Sequence, residues 1–289
     1  HPVTLVDVSR EAAERGREKA FDCIRLRAEN GLSTAAAAEQ ALSAVSVAPD
    51  ISCVTESPLL VIEAIVEKLE AKQALFRDLD ALLSAEIPLC SNTSGLRITD
   101  ISALCGCHPE RTVTTHFWLP AHLVPLVEVV MGDRTSEAVA VSVRDELKKW
   151  GKAPVLVRKD LPGQLANRIF QAIIRESIDI VASGLASAED VDTAIAAGMA
   201  MRFPVWGPLM HLDAIGTDLG LSVQETVLPG ICAEKHAGEY IRRMVAQGDL
   251  GVKTGRGFYD WSQRSPEDAI ALRDAFIIET CKTLSRLKE

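Results

Sequence analysis

The stretch His1-Pro2-Val3-Thr4-Leu5-Val6-Asp7 reads as a β-strand that ends in an acid, and Ser9 behind it caps a helix over Arg10–Asn30 that Gly31 terminates. Working outward, the same strand-then-helix alternation recurs. Short apolar runs predict strands at Ala44–Val47, Leu59–Ile65 and Ile87–Cys90, a helix covers about Lys68–Leu83, and a loop-helix runs through Leu104. Val113–Phe117 and Leu123–Val130 follow as strands punctuated by Pro120 and Pro125, and Val155–Arg158 reads as the last strand. Strands alternating with helices imply a doubly wound, mostly parallel α/β sheet. From Pro162-Gly163 onward the apolar period becomes helical, over Asn167–Gly184, Ala188–Ala197, Gly207–Leu221 and Ala233–Gln247. The expected division is therefore an α/β domain over 1–160 and an all-helical domain over 161–289.

Composition narrows the functional classes. With 289 residues, 47% of them hydrophobic and 25% charged, the chain can bury a large core and is long enough for two domains. A net charge of −9 offers no basic stripe to neutralise phosphates and argues against nucleic acid. Any anionic substrate must meet a local basic cluster instead. Charges such as Glu63 interrupt the apolar runs, so no stretch of ~18 residues reads as a membrane span, and no signal peptide is visible. Seven cysteines without framework spacing point to reduced thiols in a cytoplasmic enzyme. Cys105-Gly106-Cys107-His108 lacks a second ligand pair at zinc-site spacing, so no metal and no catalytic cysteine is expected.

His116 and Glu128 stand twelve positions apart on the two strands flanking Pro120 and Pro125. Fully extended, that interval would span roughly 40 Å, so the two meet only if the chain reverses. A carboxylate beside an imidazole fixes its tautomer and raises its proton affinity, the requirement for a general base. Taken alone, a His and a Glu flanking a turn are more often solvated strand ends. Asp7 has a similar double reading. At the end of the second strand of a dinucleotide-binding fold, an acid hydrogen-bonds the adenosine ribose, about 20 residues after a Gly-x-Gly-x-x-Gly turn. No such turn occurs in the sequence; Gly255-Arg256-Gly257 lacks the third glycine. The sheet is thus expected to lack its first strand and glycine turn in this chain, which reads as truncated at its N-terminus, with a surface acid on a non-nucleotide protein as the alternative.

Five segments taken together carry a family resemblance. Val61-Ile62-Glu63-Ala64-Ile65-Val66-Glu67-Lys68, Ser91-Asn92-Thr93-Ser94-Gly95-Leu96, the His116–Glu128 run, Asp160-Leu161-Pro162-Gly163-Gln164-Leu165-Ala166-Asn167-Arg168 and Lys253-Thr254-Gly255-Arg256-Gly257-Phe258-Tyr259 follow in order. In that order and at those intervals the chain resembles the L-3-hydroxyacyl-CoA dehydrogenase family over nearly its whole length. The resemblance implies a Rossmann-type fold, NAD as cofactor, His116 as base with Glu128 orienting it, and Ser94 and Asn167 as polar partners of the substrate oxygen. It also implies a cofactor site including Asp7, Glu63, Lys68, Asn92 and Lys253, with Glu63 and Lys68 near the nicotinamide ribose, and it implies a homodimer. An aspartate at position 7 favours NAD, because its charge repels the 2′-phosphate of NADP.

Three features depart from the acyl-CoA enzymes of that family. Leu119 stands where they carry an asparagine after the histidine, and Cys23 and Asn30 replace a serine and a lysine facing CoA, leaving Arg25 and Arg27 as substitute cations. Val124–Glu128, Gly198–Arg202 and Gly207-Pro208-Leu209 look more like the branch containing lambda-crystallin, L-gulonate 3-dehydrogenase and carnitine dehydrogenase. The expected activity is NAD-dependent interconversion of an L-3-hydroxyacyl-CoA and its 3-oxo form. The same chemistry on a free 3-hydroxy acid is the first alternative, and a non-catalytic crystallin-like protein of the same fold is the second.

Overall fold

Thr34 and Ser9 show how the first elements are set. Each accepts an N–H of the next turn in its side-chain oxygen, so α1 (Arg10–Glu29) and α2 (Ala35–Ser43) begin where the sequence supplies a hydroxyl. In the computed structural model, which describes residues 1–53 and 58–287, they follow and precede two short strands, β1 (Val3–Val6) and β2 (Val45–Ala48), that pair in parallel.

A second sheet has the order β3 (Val61–Glu63), β4 (Leu89–Ser91), β5 (Thr112–Phe117), β6 (Leu126–Val130) and β7 (Ala153–Val157). Every neighbouring pair is parallel except the β5–β6 hairpin. Helices α3 (Leu69–Leu82) and α4 (Ile98–Ile101) bring Phe76, Leu79, Ile98 and Ile101 against Leu89. Helix α5 (Glu137–Lys149) brings Ala140, Val143 and Leu147, a helical i, i+3, i+7 stripe, against Cys90, Val113, Val127 and Val129. Leu89 and Cys90 are adjacent yet join different cores, as the alternation of a strand requires. By the same rule Glu128, between Val127 and Val129, points away from α5.

Beyond β7 the chain is helical: α6 (Ala166–Ser183), α7 (Ala188–Thr193), α8 (Pro208–Ile215), α9 (Thr217–Val227), α10 (Glu239–Gln247) and α11 (Pro266–Arg286). Contacts divide the chain into one unit of His1–Arg168 with Phe276–Glu289 and another of Ile169–Ala275. The α/β sheet with a helical C-terminal part agrees with the sequence reading, with three differences of detail. The strand expected from Leu123 starts at Leu126, because Leu123 and Val124 donate their N–H groups to the Pro120 carbonyl in a turn. The helix expected over Gly207–Leu221 is two helices, broken where Gly216 takes a φ of 97°, a conformation L side chains rarely adopt. After α7 the chain continues as a π-helical turn over Ala194–Met199. Among the described residues no helix is long and apolar enough to cross a membrane.

Candidate active site

The antiparallel register of β5 and β6 sets His116 directly opposite Glu128. Side chains of such a pair stand on one face within contact distance, and His116 Nδ1 lies 2.9 Å from Glu128 Oε2. An ionised carboxylate only accepts, so Nδ1 carries the proton and the neutral ring keeps its lone pair on Nε2. Glu128 is fully buried and saturated. Trp118 Nε1 donates to the same Oε2 at 2.9 Å, while the backbone N–H groups of Leu165 and Ala166 donate to Oε1, each at 2.8 Å. Burial by itself would raise the proton affinity of Glu128; the His116 and Trp118 bonds and the two backbone donors outweigh it and hold the carboxyl down at about 2. His116 is thereby placed beside a permanent negative charge.

Those two backbone donors come from the turn that begins α6. Gly163 and Gln164 adopt φ of 79° and 50°, left-handed values that swing the next two N–H groups onto one acceptor. Gln164 is buried, and its Nε2 donates to the Thr93 carbonyl at 3.2 Å. Asn167, the second residue of α6, follows Ala166 directly. The loop after β4 is fastened on its other side. Asn92 Oδ1 accepts the Phe117 N–H at 2.9 Å, next to His116. Glu67 Oε1 accepts the Thr93 hydroxyl at 2.5 Å and the N–H groups of Ser94 and Gly95 at 3.2 Å each. Burial opposes the charge on Glu67, but its bonds from Thr93, Lys72 and Gly95 prevail and lower its pKa. This chain of bonds ties Ser94, Asn92, Asn167, His116 and Glu128 into one locality within the first unit.

The hydrogen bonds show what several of the expected residues are bonded to and bring further residues beside them. Glu63 is buried, and both its oxygens are spent: Oε1 on Lys72 Nζ at 2.6 Å and the Ile65 N–H at 2.7 Å, Oε2 on the Ser91 hydroxyl at 2.6 Å. It therefore supports the strand ends, with three donors already on its two oxygens. Its cation is Lys72, which also lies 3.2 Å from Glu67; Lys68 is exposed in the N-cap position of α3. Asn92 commits its side-chain oxygen to β5, leaving its carboxamide N–H2 for a cofactor role. Arg27 donates to the carbonyls of His122 at 2.5 Å and Leu32 at 3.4 Å, and Arg25 makes an exposed pair with Asp22 at 3.3 Å. Lys253 belongs to the second unit, exposed on a turn closed by the Gly251 N–H on the Arg256 carbonyl. Trp118, Glu67, Lys72 and Gln164 went unread in the sequence. Only Trp118 left a signal, two positions from His116 and hence on the same strand face.

Asp7 is exposed at the carboxyl end of β1, its Oδ1 accepting the Val8 N–H at 2.6 Å. An exposed acid there and the Ser94 loop at the carboxyl end of β4 suit the ribose and nicotinamide portions of a dinucleotide, which binds at the carboxyl ends of parallel strands. No residue is assigned to the diphosphate. Among the described residues no group of three His, Cys, Asp or Glu side chains could hold a metal ion.

Known families match both parts of the chain. Residues 1–161 match the model of the 3-hydroxyacyl-CoA dehydrogenase NAD-binding domain, and residues 163–261 match that of its C-terminal domain. A probable 3-hydroxybutyryl-CoA dehydrogenase of Bacillus subtilis is 36% identical over 91% of this chain and 90% of the relative. A 5-formyl-3-hydroxy-2-methylpyridine 4-carboxylate 5-dehydrogenase of Mesorhizobium japonicum is 30% identical over 88% of this chain and 85% of its own. Among solved structures, an NAD+-dependent dismutase described as that pyridine carboxylate 5-dehydrogenase superposes with a TM-score of 0.83 at 28% identity, over 99% of this chain and 90% of that one. The (S)-3-hydroxybutyryl-CoA dehydrogenase of Ralstonia eutropha gives 0.72 at 31% identity, over 90% of each chain.

Proposed function

Because this chain belongs to the 3-hydroxyacyl-CoA dehydrogenase family, oxidoreductases with an NAD-binding domain, we propose that it oxidises the 3-hydroxyl of an L-3-hydroxyacyl-CoA. The observation that carries the reading is the contact of His116 with a Glu128 carboxylate saturated by four donors. In this reading His116 Nε2 takes the hydroxyl proton as the carbonyl forms, and Glu128 fixes the ring tautomer and stabilises the imidazolium. NAD supplies the acceptor for the hydride that leaves the same carbon. Ser94 and Asn167 hold the substrate oxygen, and Asp7, Asn92, Lys68 and Lys253 serve the cofactor. Residues 1–160 form the cofactor domain and 161–289 the substrate and dimerisation domain.

The test is His116→Gln in the full chain, with NADH formation followed from 3-hydroxybutyryl-CoA. We expect kcat to fall by ~10²–10⁴-fold with NAD affinity nearly unchanged, the size of a general-base contribution. A variant that keeps most of its activity removes His116 from the mechanism.

One observation favours a second reading, the same chemistry on a free 3-hydroxy acid. Arg27, one of the two cations nearest in sequence to the departures Cys23 and Asn30, is engaged on backbone carbonyls within the protein. Comparing kcat/KM for 3-hydroxybutyryl-CoA, L-gulonate and L-carnitine decides between the two. A preference above ~100-fold for a free acid, worth ~2.7 kcal/mol in the transition state, selects the second reading. A homodimer fits the apolar surface of the helical unit, where Leu185 and Leu209 are each 77% exposed. The six free cysteines among the described residues suit the cytoplasm.

A further inference from the structure

Two N–H donors share one oxygen of Glu128. His116 Nδ1 and Trp118 Nε1 each lie 2.9 Å from Oε2, and the two rings stand 6.1 Å apart at 59°. Strand alternation makes this possible, since positions 116 and 118 face the same side, and the Trp118 N–H closes the hairpin on the Leu126 carbonyl at 3.4 Å. The next residue, Leu119, is 84% exposed and adds no polar group. Beside the imidazole, the indole is thus a second side-chain donor on the same carboxylate oxygen, and one that does not titrate. A neutral donor on the oxygen that also serves the imidazole has two effects. It pins that oxygen in place, and it draws off part of the charge that would otherwise stabilise the imidazolium.

We infer that Trp118 is a positioning residue of the dyad: its indole N–H locks Glu128 Oε2 opposite His116 and moderates the basicity of the imidazole, keeping the ring in its proton-accepting form to lower pH. This rests on the dyad reading above and adds to it a determinant of the working pH range. The charged groups on the neighbouring elements are Glu63 at the end of β3, Glu67 in the segment after it, Lys72 on α3, and Lys152, whose ammonium lies 5.7 Å from the Phe117 ring. Replacing Trp118 leaves all of them in place.

The experiment measures kcat/KM against pH for wild type and Trp118→Phe in the full chain, alongside His116→Gln. The aromatic ring stays and the donor goes. We expect the acid-side midpoint to move up by about half a pH unit, with plateau kcat within ~10-fold and KM for NAD unchanged. A second form carries benzothienylalanine at 118, which keeps the indole shape with sulfur in place of N–H, and it should show the same displacement. An unmoved or lowered midpoint in Trp118→Phe overturns the inference. So does a midpoint that moves in Trp118→Phe and stays at the wild-type value with the sulfur analogue, since packing would then be the cause. Full activity in His116→Gln is a different failure, because it removes the dyad itself whatever Trp118 does.

Discussion

Glu128→Gln keeps the size of the side chain and changes its charge and its number of acceptors. Four donors converge on the carboxylate, two at 2.9 Å and two at 2.8 Å, and an amide offers only one oxygen. With that oxygen toward Leu165 and Ala166, the amide N–H2 faces the Trp118 N–H, an obligatory donor, and draws the His116 proton from Nδ1 to Nε2. The base is then blocked. With the oxygen toward the rings, two backbone N–H groups are orphaned in the interior. Orphaned buried donors cost about 1–3 kcal/mol each, so ~3 kcal/mol of stability should be lost. A second route gives a similar figure. The carboxyl releases its proton at about 2 in place of 4.5, and at about 1.4 kcal/mol per pH unit that displacement corresponds to roughly 3 kcal/mol. A pKa depressed by folding contributes stability that is complete above the unfolded value and is lost as pH falls through the folded one. The wild type should therefore lose this increment between pH ~4.5 and ~2. Urea unfolding of both proteins at neutral pH and down this range measures it, and Glu128→Gln should lack that part of the acid slope. Its kcat/KM should fall by ~10³-fold through the wrong tautomer. Near wild-type stability at neutral pH, or activity within a few-fold of wild type, would refute the reasoning.

Lys72 is 1% exposed between Glu63 at 2.6 Å and Glu67 at 3.2 Å. Lys72→Met should cost about 3–5 kcal/mol, because a buried carboxylate is left without its cation; a loss below ~1 kcal/mol on urea unfolding counts against that pairing. Gly132 lies against α4, and a Cβ there would meet Ile98 Cγ2 at 2.8 Å and the Thr99 backbone nitrogen at 3.1 Å. Gly132→Ala should lower stability by ~1–3 kcal/mol, and an unchanged melting temperature would show that α4 gives way freely.

The candidate catalytic pair was legible because a strand repeats every two residues: once the hairpin closes around Pro120 and Pro125, His116 and Glu128 can fall only on one face or on opposite ones. Register chose one face. The alternating α/β pattern, the helical C-terminal part and the caps at Ser9 and Thr34 were legible for the same kind of reason, since period and capping chemistry act within a few residues. What holds the pair was not legible. The donors on Glu128 Oε1 come from residues 37 and 38 positions downstream, and they arrive through the left-handed turn at Gly163 and Gln164. The cation of Glu63 illustrates the same limit: Lys68 and Lys72 both follow it closely, but α3 buries Lys72 and leaves Lys68 at its exposed start. By itself the sequence determined the periods, the caps and the chemical kinds of group available to the site. Only the tertiary structure decided which donors a buried carboxylate meets, because a charge removed from water is held by whichever polar groups the packed elements bring within 3 Å of it.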